Sequence, residues 1–589
     1  MSRIRYIELF VCGWWYCRVL AVESRPIVVV RTGRSGAVSM RARASVEIPA
    51  ETVRVVRAAC PKGTRATHLR DALGPIFDDA QFADWFAAEG QAGIAPGMLA
   101  LVCVLQMMED MSDRDAADAV RTRMDWKYAL SLPIDHAGFT HSVLVEFRDR
   151  LEVDDRAASL LETMLTVAEA AGLARRGGQM RTDATHVVAR IRRLNRWELV
   201  GETVRAALEE IAGMAPGWLG PRIRPGWAQR YGRRIEVSRL PAGEAARWAW
   251  ADTVAADGAV LLADIDGDPE AAWLSNLPQV RALAAIWAQQ CVADGDGVWR
   301  LRKECLLAGA DRILSPYDPE ARWGVKRATA WPGYKVGYTE TCDGDLPHLV
   351  TDVQTAPATT VDVVAGEATR TGLAERGRSP QRQYADTAYV TPETIRAAAA
   401  SGTMLIGPVL LDSSWQAKAG KGFDRSRFVV DWDTRSAICP AGKCSATWRE
   451  QKQEHGIGAA IRFDPADCAA CPSRADCTRD MGGRQITLPP RDLHDIQQAN
   501  RADQADPDWQ RLYNRRAAIE ATLSEAIRAY GLRHTRHCGQ ARTHVRHLLI
   551  ACGMNAARIA DWHSRGDVPA RHRPTTRFVR LCNQMETAS

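Results

Sequence analysis

The sequence has no uninterrupted apolar run of the roughly 18–20 residues that a bilayer-spanning helix needs. The stretch from Leu9 to Val22 is apolar and contains Trp14 and Trp15, but Arg18 interrupts it and Glu8 flanks it. No small-residue cleavage site follows cleanly, so neither a membrane span nor a secretory leader is expected. Without a leader, the fifteen cysteines do not imply disulfides; a reducing cytoplasm is expected and most of them read as buried thiols. Lysine is missing altogether from Arg511 to Ser589, where fourteen arginines face five acids, a local balance of +9 that leaves the first 510 residues at −3. Charge so concentrated suits a polyanion, and a solvated helix face is the plain alternative.

What is present is ordinary in amount. With 589 residues, 46% hydrophobic and 25% charged, the chain is too long for one core and suits roughly three or four units. Residues 1–39 read as an irregular extension, with Met40 as an alternative natural start. Residues 40–172 read as an all-α domain: apolar stripes alternate with Asp and Arg, Ser112 suits a helix cap, and Pro96 and Pro133 mark boundaries. The segment GFTHSVLVEFRDRLE predicts a short helix after a turn, with Arg148 and Arg150 on its polar side. A DNA-reading helix-turn-helix and a plain bundle used for assembly both fit it.

Strand signals begin with Met180–Ala189, rich in β-branched residues and carrying Asp183. From Asn195 the period becomes helical, with Leu199, Val204, Ala207, Leu208 and Ile211 on one face until Gly213. Met214 to Trp331 reads as mostly helical, rich in Trp and Arg, and without a catalytic signature. GYKVGYTET and PHLVTDVQTAPATT then predict a strand pair. VAGEATRTGLAERG is helical, QRQYADTAYV places Asp386 just after a strand, TPETIRAAAASG is helical, and TMLIGPVLL predicts a buried strand. A loop-rich segment follows with Cys439, Cys444, Cys468, Cys471 and Cys477. Cys468-x-x-Cys471, Cys477 and Cys439 or Cys444 supply four thiolates, enough for a structural zinc; free thiols and an iron–sulfur cluster stay open as alternatives.

The stretch from Arg511 to Leu549 predicts a helix on which Tyr513, Arg516 and Glu520 stand at i, i+3 and i+7 along one side. One acid there sits among cations, and Arg528, Arg533, Arg536, Arg542 and Arg546 follow. A metal-binding carboxylate within a DNA-binding surface would give this pattern.

These segments together resemble the DDE transposases of bacterial insertion sequences. The specific parts are RTDATHV, LNRWELVGETVRAALE, YDPEARWGVKRATAWPGYKVGYTET, ADTAYV and Tyr513-x-x-Arg516-x-x-x-Glu520; LQMMEDMSDRDAADAVRTRMDWKYALSL and FRDRL look like the preceding DNA-binding domain. The resemblance covers nearly everything from Met40 onward. It implies an α/β fold: an RNase H-like mixed sheet flanked by helices, a helical insertion after the first strand, a Cys-containing insertion before the last helix, and an all-α N-terminal domain. The implied boundaries are 40–172 for DNA binding and assembly, 173–410 with 511–562 for catalysis (insertion at about 195–331), 411–510 for the Cys-containing insertion and 563–589 for a basic tail.

By the same resemblance, Asp183, Asp386 and Glu520 form the catalytic triad and hold two Mg²⁺ or Mn²⁺ ions, with Asp183 bridging both. Such pairs stand about 3.5–4 Å apart and favour oxygen ligands. Tyr513 and Arg516 would contact DNA near the cleaved phosphate, Arg528 would add a contact, and Arg533 and Arg536 would belong to a general DNA surface. Terminal inverted repeats and target DNA are the implied partners, in a homodimer in the bacterial cytoplasm, associated with the nucleoid. The implied activity is cleavage and strand transfer of element ends; a catalytically inactive or domesticated DNA-binding derivative and a nuclease without joining activity are the alternatives. Two positions depart from the usual pattern. Ile527 stands where Lys is common, and Ala388 stands where Gly precedes the tyrosine, a substitution that strains the backbone if φ there is positive. Asp343, Asp345, Asp352 and Asp362 compete with Asp386 for the second role but lack its place at a strand end before Tyr389.

Overall fold

In a computed structural model of the protein, residues 38–565 are described, except 44, 305 and 306. The extension expected at the N-terminus and the basic tail thus fall, but for a few residues, outside the described residues. Seven helices come first: α1 (Ala50–Ala59), α2 (Arg65–Leu73), α3 (Pro96–Met108), α4 (Asp113–Thr122), α5 (Met124–Ala129), α6 (Ser142–Leu151) and α7 (Arg156–Ala170). Local chemistry sets their starts. Thr64 and Thr67 form a capping box on α2, Pro96 occupies the first turn of α3, and the Ser112 side chain accepts from Asp115 N–H at the start of α4, as its sequence position predicts.

A six-stranded mixed sheet follows. Its strands are β1 (Gln179–Val188), β2 (Arg322–Lys326), β3 (Thr329–Thr341), β4 (Val350–Pro357), β5 (Arg382–Tyr384) and β6 (Met404–Ile406). The order is β6-β5-β1-β3, and the far edge of β3 is shared by β2 and β4. β1 runs antiparallel to β3 and parallel to β5, which is parallel to β6. Between β1 and β2 lies the insertion, with helices α8 (Arg196–Met214), α9 (Glu244–Asp266) and α10 (Pro278–Gln290) around a core of their own. Asn195 caps α8 in a box with Glu198.

Beyond β4 come α11 (Asp362–Glu375) and, after β5, α12 (Pro392–Ala400). The Cys-containing segment holds a small antiparallel sheet of β7 (Thr447–Gln453), β8 (Gly456–Arg462) and β9 (Gln485–Leu488). The chain ends in α13 (Arg491–Asp503), α14 (Pro507–Tyr513), a 3-10 turn at Asn514–Ala518, α15 (Ile519–Tyr530) and α16 (Gln540–Arg565). The whole is an α/β fold with an N-terminal helical region.

The last helix is the keystone. α16 packs against α2, α3 and α7 on one side and β4 on the other. It therefore buries residues all round, from Leu548 through Ala557 without a break, as a helix between two apolar layers must. α3 is buried along its entire length, and α16 approaches it so closely that a Cβ on Gly553 would lie 2.7 Å from Met108 N. The side-chain amide of Asn555 docks the helix to the sheet, accepting from Val350 N–H at 2.8 Å and donating to Val350 O at 2.9 Å. N-terminal helices, sheet and α16 thus share one hydrophobic core.

His547 sits inside that core, with Nδ1 2.8 Å from Thr355 Oγ1 and Nε2 unpartnered. Burial, reinforced by His544, Arg546 and His537, holds its pKa well below the usual histidine range. The folded protein keeps this ring neutral, whereas the unfolded chain protonates it below about pH 6.5. The unfolded state then binds the extra proton, so stability falls with decreasing pH, by up to about 1.4 kcal/mol per unit for this group. Chemical denaturation at pH 7.5 and pH 5.5 should show that loss, and His547→Gln should flatten the slope.

Three sequence expectations are corrected. The helical insertion does not run to Trp331: helix ends at Gln290, a short hairpin pairs Cys291–Ala293 with Trp299–Leu301, and β2 and β3 form a sheet hairpin that buries Trp331 over Gly324. The strand expected at 403–411 stops at Ile406. Gly407 lies against the Ala385 carbonyl and Pro408 has no N–H to pair, and Leu410 and Leu411 are exposed. The single helix expected from Arg511 is broken into α14, the 3-10 turn, α15 and, after a loop, α16. At the break the Arg515 carbonyl accepts from Arg181 Nη1 at 3.2 Å.

Candidate active site

The central strand carries the first acid. Asp183 lies midway along β1, opposite Tyr338 of β3, and its side chain is 15% exposed. On the other side β5 pairs in parallel through Gln179↔Arg382, Met180↔Gln383 and Arg181↔Tyr384. Carried two residues past the paired segment, that register sets Asp386 beside Asp183. Strand β5 has ended by then, and Asp386 Oδ1 instead accepts from Ala388 N–H at 2.9 Å. Ala388 is not among the residues with positive φ, so alanine stands there without the strain its departure from the usual glycine raised. Tyr389 next to it is buried against α11, over Gly366, with its hydroxyl unpartnered.

Arg516 ties the third acid to the first. From the 3-10 turn its Nη1 lies 3.0 Å from Asp183 Oδ2 and its Nη2 2.9 Å from Glu520 Oε1. Glu520 is the second residue of α15, where the helix N-terminus favours a negative charge. Burial lowers the affinity of Arg516 for its proton, but Asp183, Tyr513, Asp386 and Glu520 together raise its pKa above the usual arginine value. For Asp183 the balance runs the other way: burial, with Asp386 adding repulsion, lifts its pKa above the aspartate range despite the Ala184 N–H and Arg516. Three carboxylates against one bridging guanidinium leave the site short of positive charge. Tyr513 stacks on Trp509, with centroids 5.3 Å apart, and both pack near Tyr384 and Ile406 at the same end of the sheet.

The competing acids are committed elsewhere. Asp345 pairs with Arg175, Asp352 with Arg376 and Asp362 with Lys335, and Asp343 accepts from Gln179 N–H. The arginines divide as well. Arg528 is exposed and donates to Ser524 Oγ at 2.9 Å, while Ile527 turns towards the main core, which explains why a charged residue is missing there. Arg536 is exposed. Arg533 is not a free surface cation: its Nη1 donates to Thr185 Oγ1 and His186 O, both at 3.0 Å, and approaches His186 Nδ1. Its backbone carbonyl accepts from Val188 N–H at 2.9 Å, so Arg533 fastens the loop before α16 to the end of β1. Arg542 pairs with Glu152, and Arg546 donates to the Tyr530 carbonyl. In α6, Arg148 pairs with Asp113 and Arg150 lies over Phe86, so neither presents an unengaged charge on a recognition face.

Two contributors escaped the sequence reading. Lys326, at the tip of the β2–β3 hairpin, acts electrostatically on Asp183; its place in the motif YDPEARWGVK was the available signal. Glu340 is fully buried and joins β3 to three elements: it accepts from Arg181 Nε at 2.6 Å, Thr522 Oγ1 at 2.6 Å and Arg558 Nη1 at 2.8 Å. This network holds α15, and with it Glu520, against β1. Nothing in local spacing signals it, since the partners lie 159, 182 and 218 residues away.

The Cys-containing segment brings Cys439, Cys468, Cys471 and Cys477 around one small cavity, while Cys444 is exposed outside it. Among the described residues no helix is long and apolar enough to cross a membrane.

Two families match the chain: the Transposase DDE domain over residues 438–560, a span containing Glu520, and the Transposase domain (DUF772) over residues 58–150, which takes in most of the N-terminal helices. No curated protein and no solved structure matches it. Both matched models are transposase domains, one at each end of the mixed α/β sheet in sequence, and together they support a DDE-type transposase of the insertion-sequence type.

Proposed function

We propose that this transposase cleaves the ends of its element and joins the freed 3′-hydroxyl to target DNA, with Asp183, Asp386 and Glu520 as the metal-binding triad. The observation that carries this reading is that Arg516 bridges Asp183 of β1 and Glu520 of α15, with Asp386 at the end of β5 near enough to act electrostatically on both Asp183 and Arg516. The strand order, with an antiparallel β1-β3-β4 set and parallel β5 and β6 beside β1, supports an RNase H-like catalytic core. The donor set also fits: three carboxylates supply hard oxygen ligands, and divalent cations would offset the burial and the Asp386 repulsion that lift the pKa of Asp183. Two Mg²⁺ or Mn²⁺ ions bound there would supply activation of the attacking oxygen and stabilisation of the leaving one.

The protein's own groups do the rest. Asp183, in the middle of β1, would hold the ions together with Asp386 at the end of β5 and Glu520 in the first turn of α15. Arg516 gives up its carboxylate contacts in exchange for a phosphate, to which its planar fork is suited, and Tyr513, rigidly stacked, borders the same phosphate. Arg528 and Arg536 extend the DNA track. A homodimer synapsing two inverted repeats, acting in the cytoplasm at the nucleoid, completes the reading. Arg516→Ala should lower the cleavage rate at saturating DNA by roughly 10²-fold through loss of positioning, with no comparable loss of Tm. An unchanged rate would remove Arg516 from the site.

The test of function uses purified full-length protein, labelled duplexes carrying the inverted repeats that flank its gene, and Mg²⁺ or Mn²⁺. Cleavage at the repeat ends with joined products is expected. Binding without cleavage would leave a DNA-binding derivative, and cleavage without joining a nuclease.

A further inference from the structure

The segment between β6 and α13 is built on very little. Its core comprises seven fully buried residues, Phe428, Ala437, Ala459, Ile461, Phe463, Ile486 and Leu488, and small sheets with so little apolar burial generally need a covalent or metal cross-link. Packed against this core are Cys439, Cys468 and Cys477. With Cys471 they line a cavity of about 30 Å³, roughly the space of one water or one ion.

We propose that Cys439, Cys468, Cys471 and Cys477 bind one zinc ion that cross-links this module. The four thiols come from three places: the tight turn after the Ser436–Ile438 strand, the loop and short helix after β8, and the following helix at Arg474–Cys477. Backbone N–H groups already point at two of the sulfurs, Lys443 N at 3.3 Å from Cys439 Sγ and Arg484 N at 3.4 Å from Cys468 Sγ. Such bonds stabilise thiolates rather than thiols. The turn at Cys439 is closed by Gly442, whose positive φ of 81° lets its N–H donate to Cys439 O. Lys443, Asp467, Arg474 and Arg484 line the same cavity, Lys443 paired with Asp467; the net positive balance of this lining opposes the two net negative charges of a four-thiolate zinc centre. Arg484 Nε has no partner.

Thiolate ligands select zinc over the hard cations of the catalytic acids. The four sulfurs line one cavity without all standing within 4.8 Å of one another, so the ion would draw them together; among the described residues that closeness is met by His68, Asp71 and His563, which carry no such inference because Asp71 already receives Arg57 and Tyr128.

The zinc site stands independently of the transposition reading and is tested without it. Full-length protein, purified under reducing conditions without added metal, is analysed for metals by mass spectrometry and for thiols by alkylation in the native state. One zinc per chain is expected, with the four thiols protected and becoming reactive once a strong chelator has removed the metal. Cys471→Ser should lose the zinc, and Cys444→Ser should keep it. Metal-free protein with all four thiols freely alkylated, stoichiometric iron, or a disulfide among the four would overturn the proposal. Should Cys471→Ser not be recovered folded, the wild-type metal content and thiol protection decide alone.

Discussion

Asp183→Asn should abolish cleavage and joining while leaving both the fold and the binding of inverted-repeat DNA intact. The expected loss is on the order of 10³-fold or more, because on the proposed mechanism the change removes a metal-holding carboxylate oxygen and with it several kcal/mol of transition-state stabilisation. Stability should not fall with activity. Burial raises the pKa of Asp183 in the folded protein. An acid whose folded pKa exceeds its unfolded one costs stability while charged, and the cost is relieved as pH falls through the raised value. A neutral amide at this position removes that cost and keeps an oxygen for Arg516, so Tm should hold or rise. Denaturation and end-cleavage measured on one preparation check both signs. A variant that is inactive because it is unfolded would contradict the burial argument, and one that still cleaves would remove Asp183 from the triad.

The second large effect lies away from the reacting atoms. Glu340→Ala leaves Arg181 and Arg558, whose side chains are 6% and 18% exposed, without the carboxylate that both address. Breaking a buried pair in this way costs about 3–5 kcal/mol, a large fraction of the stability of most domains. Arg558 retains Glu525 as a second partner, which keeps the loss from doubling. The change also loosens α15, because Thr522 Oγ1 loses its acceptor. Activity at temperatures well below Tm should therefore fall too, as Glu520 loses its fixed position. Urea denaturation of wild type and Glu340→Ala measures the first effect, and end-cleavage at low temperature the second. A loss below about 1 kcal/mol, the scale of an exposed ion pair, would show that the network does not hold the two layers together.

How much of this was legible beforehand follows the range over which each signal acts. Asp183 in a β-branched run, Asp386 after a short strand and Arg516 four residues before Glu520 are local patterns, and those residues do converge. The registers that assemble them are not local. The offset that carries Asp386 alongside Asp183 is a property of β1–β5 pairing, and no sequence spacing within either strand encodes it. Charge alone did not reveal intramolecular partners: Arg533, Arg542 and Arg546 read as a DNA surface, and each is engaged by the protein, Arg542 while remaining exposed. The same applies to α6, where Arg148 serves Asp113. A cationic residue near a helix end carries no mark in sequence of whether its partner is a phosphate or an acid far along the chain. The unbroken buried run in α16 was visible as HLLIACGMNAARIA, and it signals a helix enclosed on all sides; reading that stretch for arginines alone hid its role as the joint between the N-terminal helices and the sheet. Strand ends were missed for a local reason, Gly407 and Pro408 ending a pattern whose apolar residues continue.

The central claim is that acids 134 to 337 positions apart in the sequence make one divalent-metal site. Anomalous diffraction from crystals of the full-length protein soaked in Mn²⁺ and bound to an element-end duplex tests it most directly. Peaks within coordination distance of Asp183, Asp386 and Glu520, with Arg516 turned to a phosphate, are the expected result. Manganese bound elsewhere, or its absence from these three carboxylates with DNA in place, would contradict the claim.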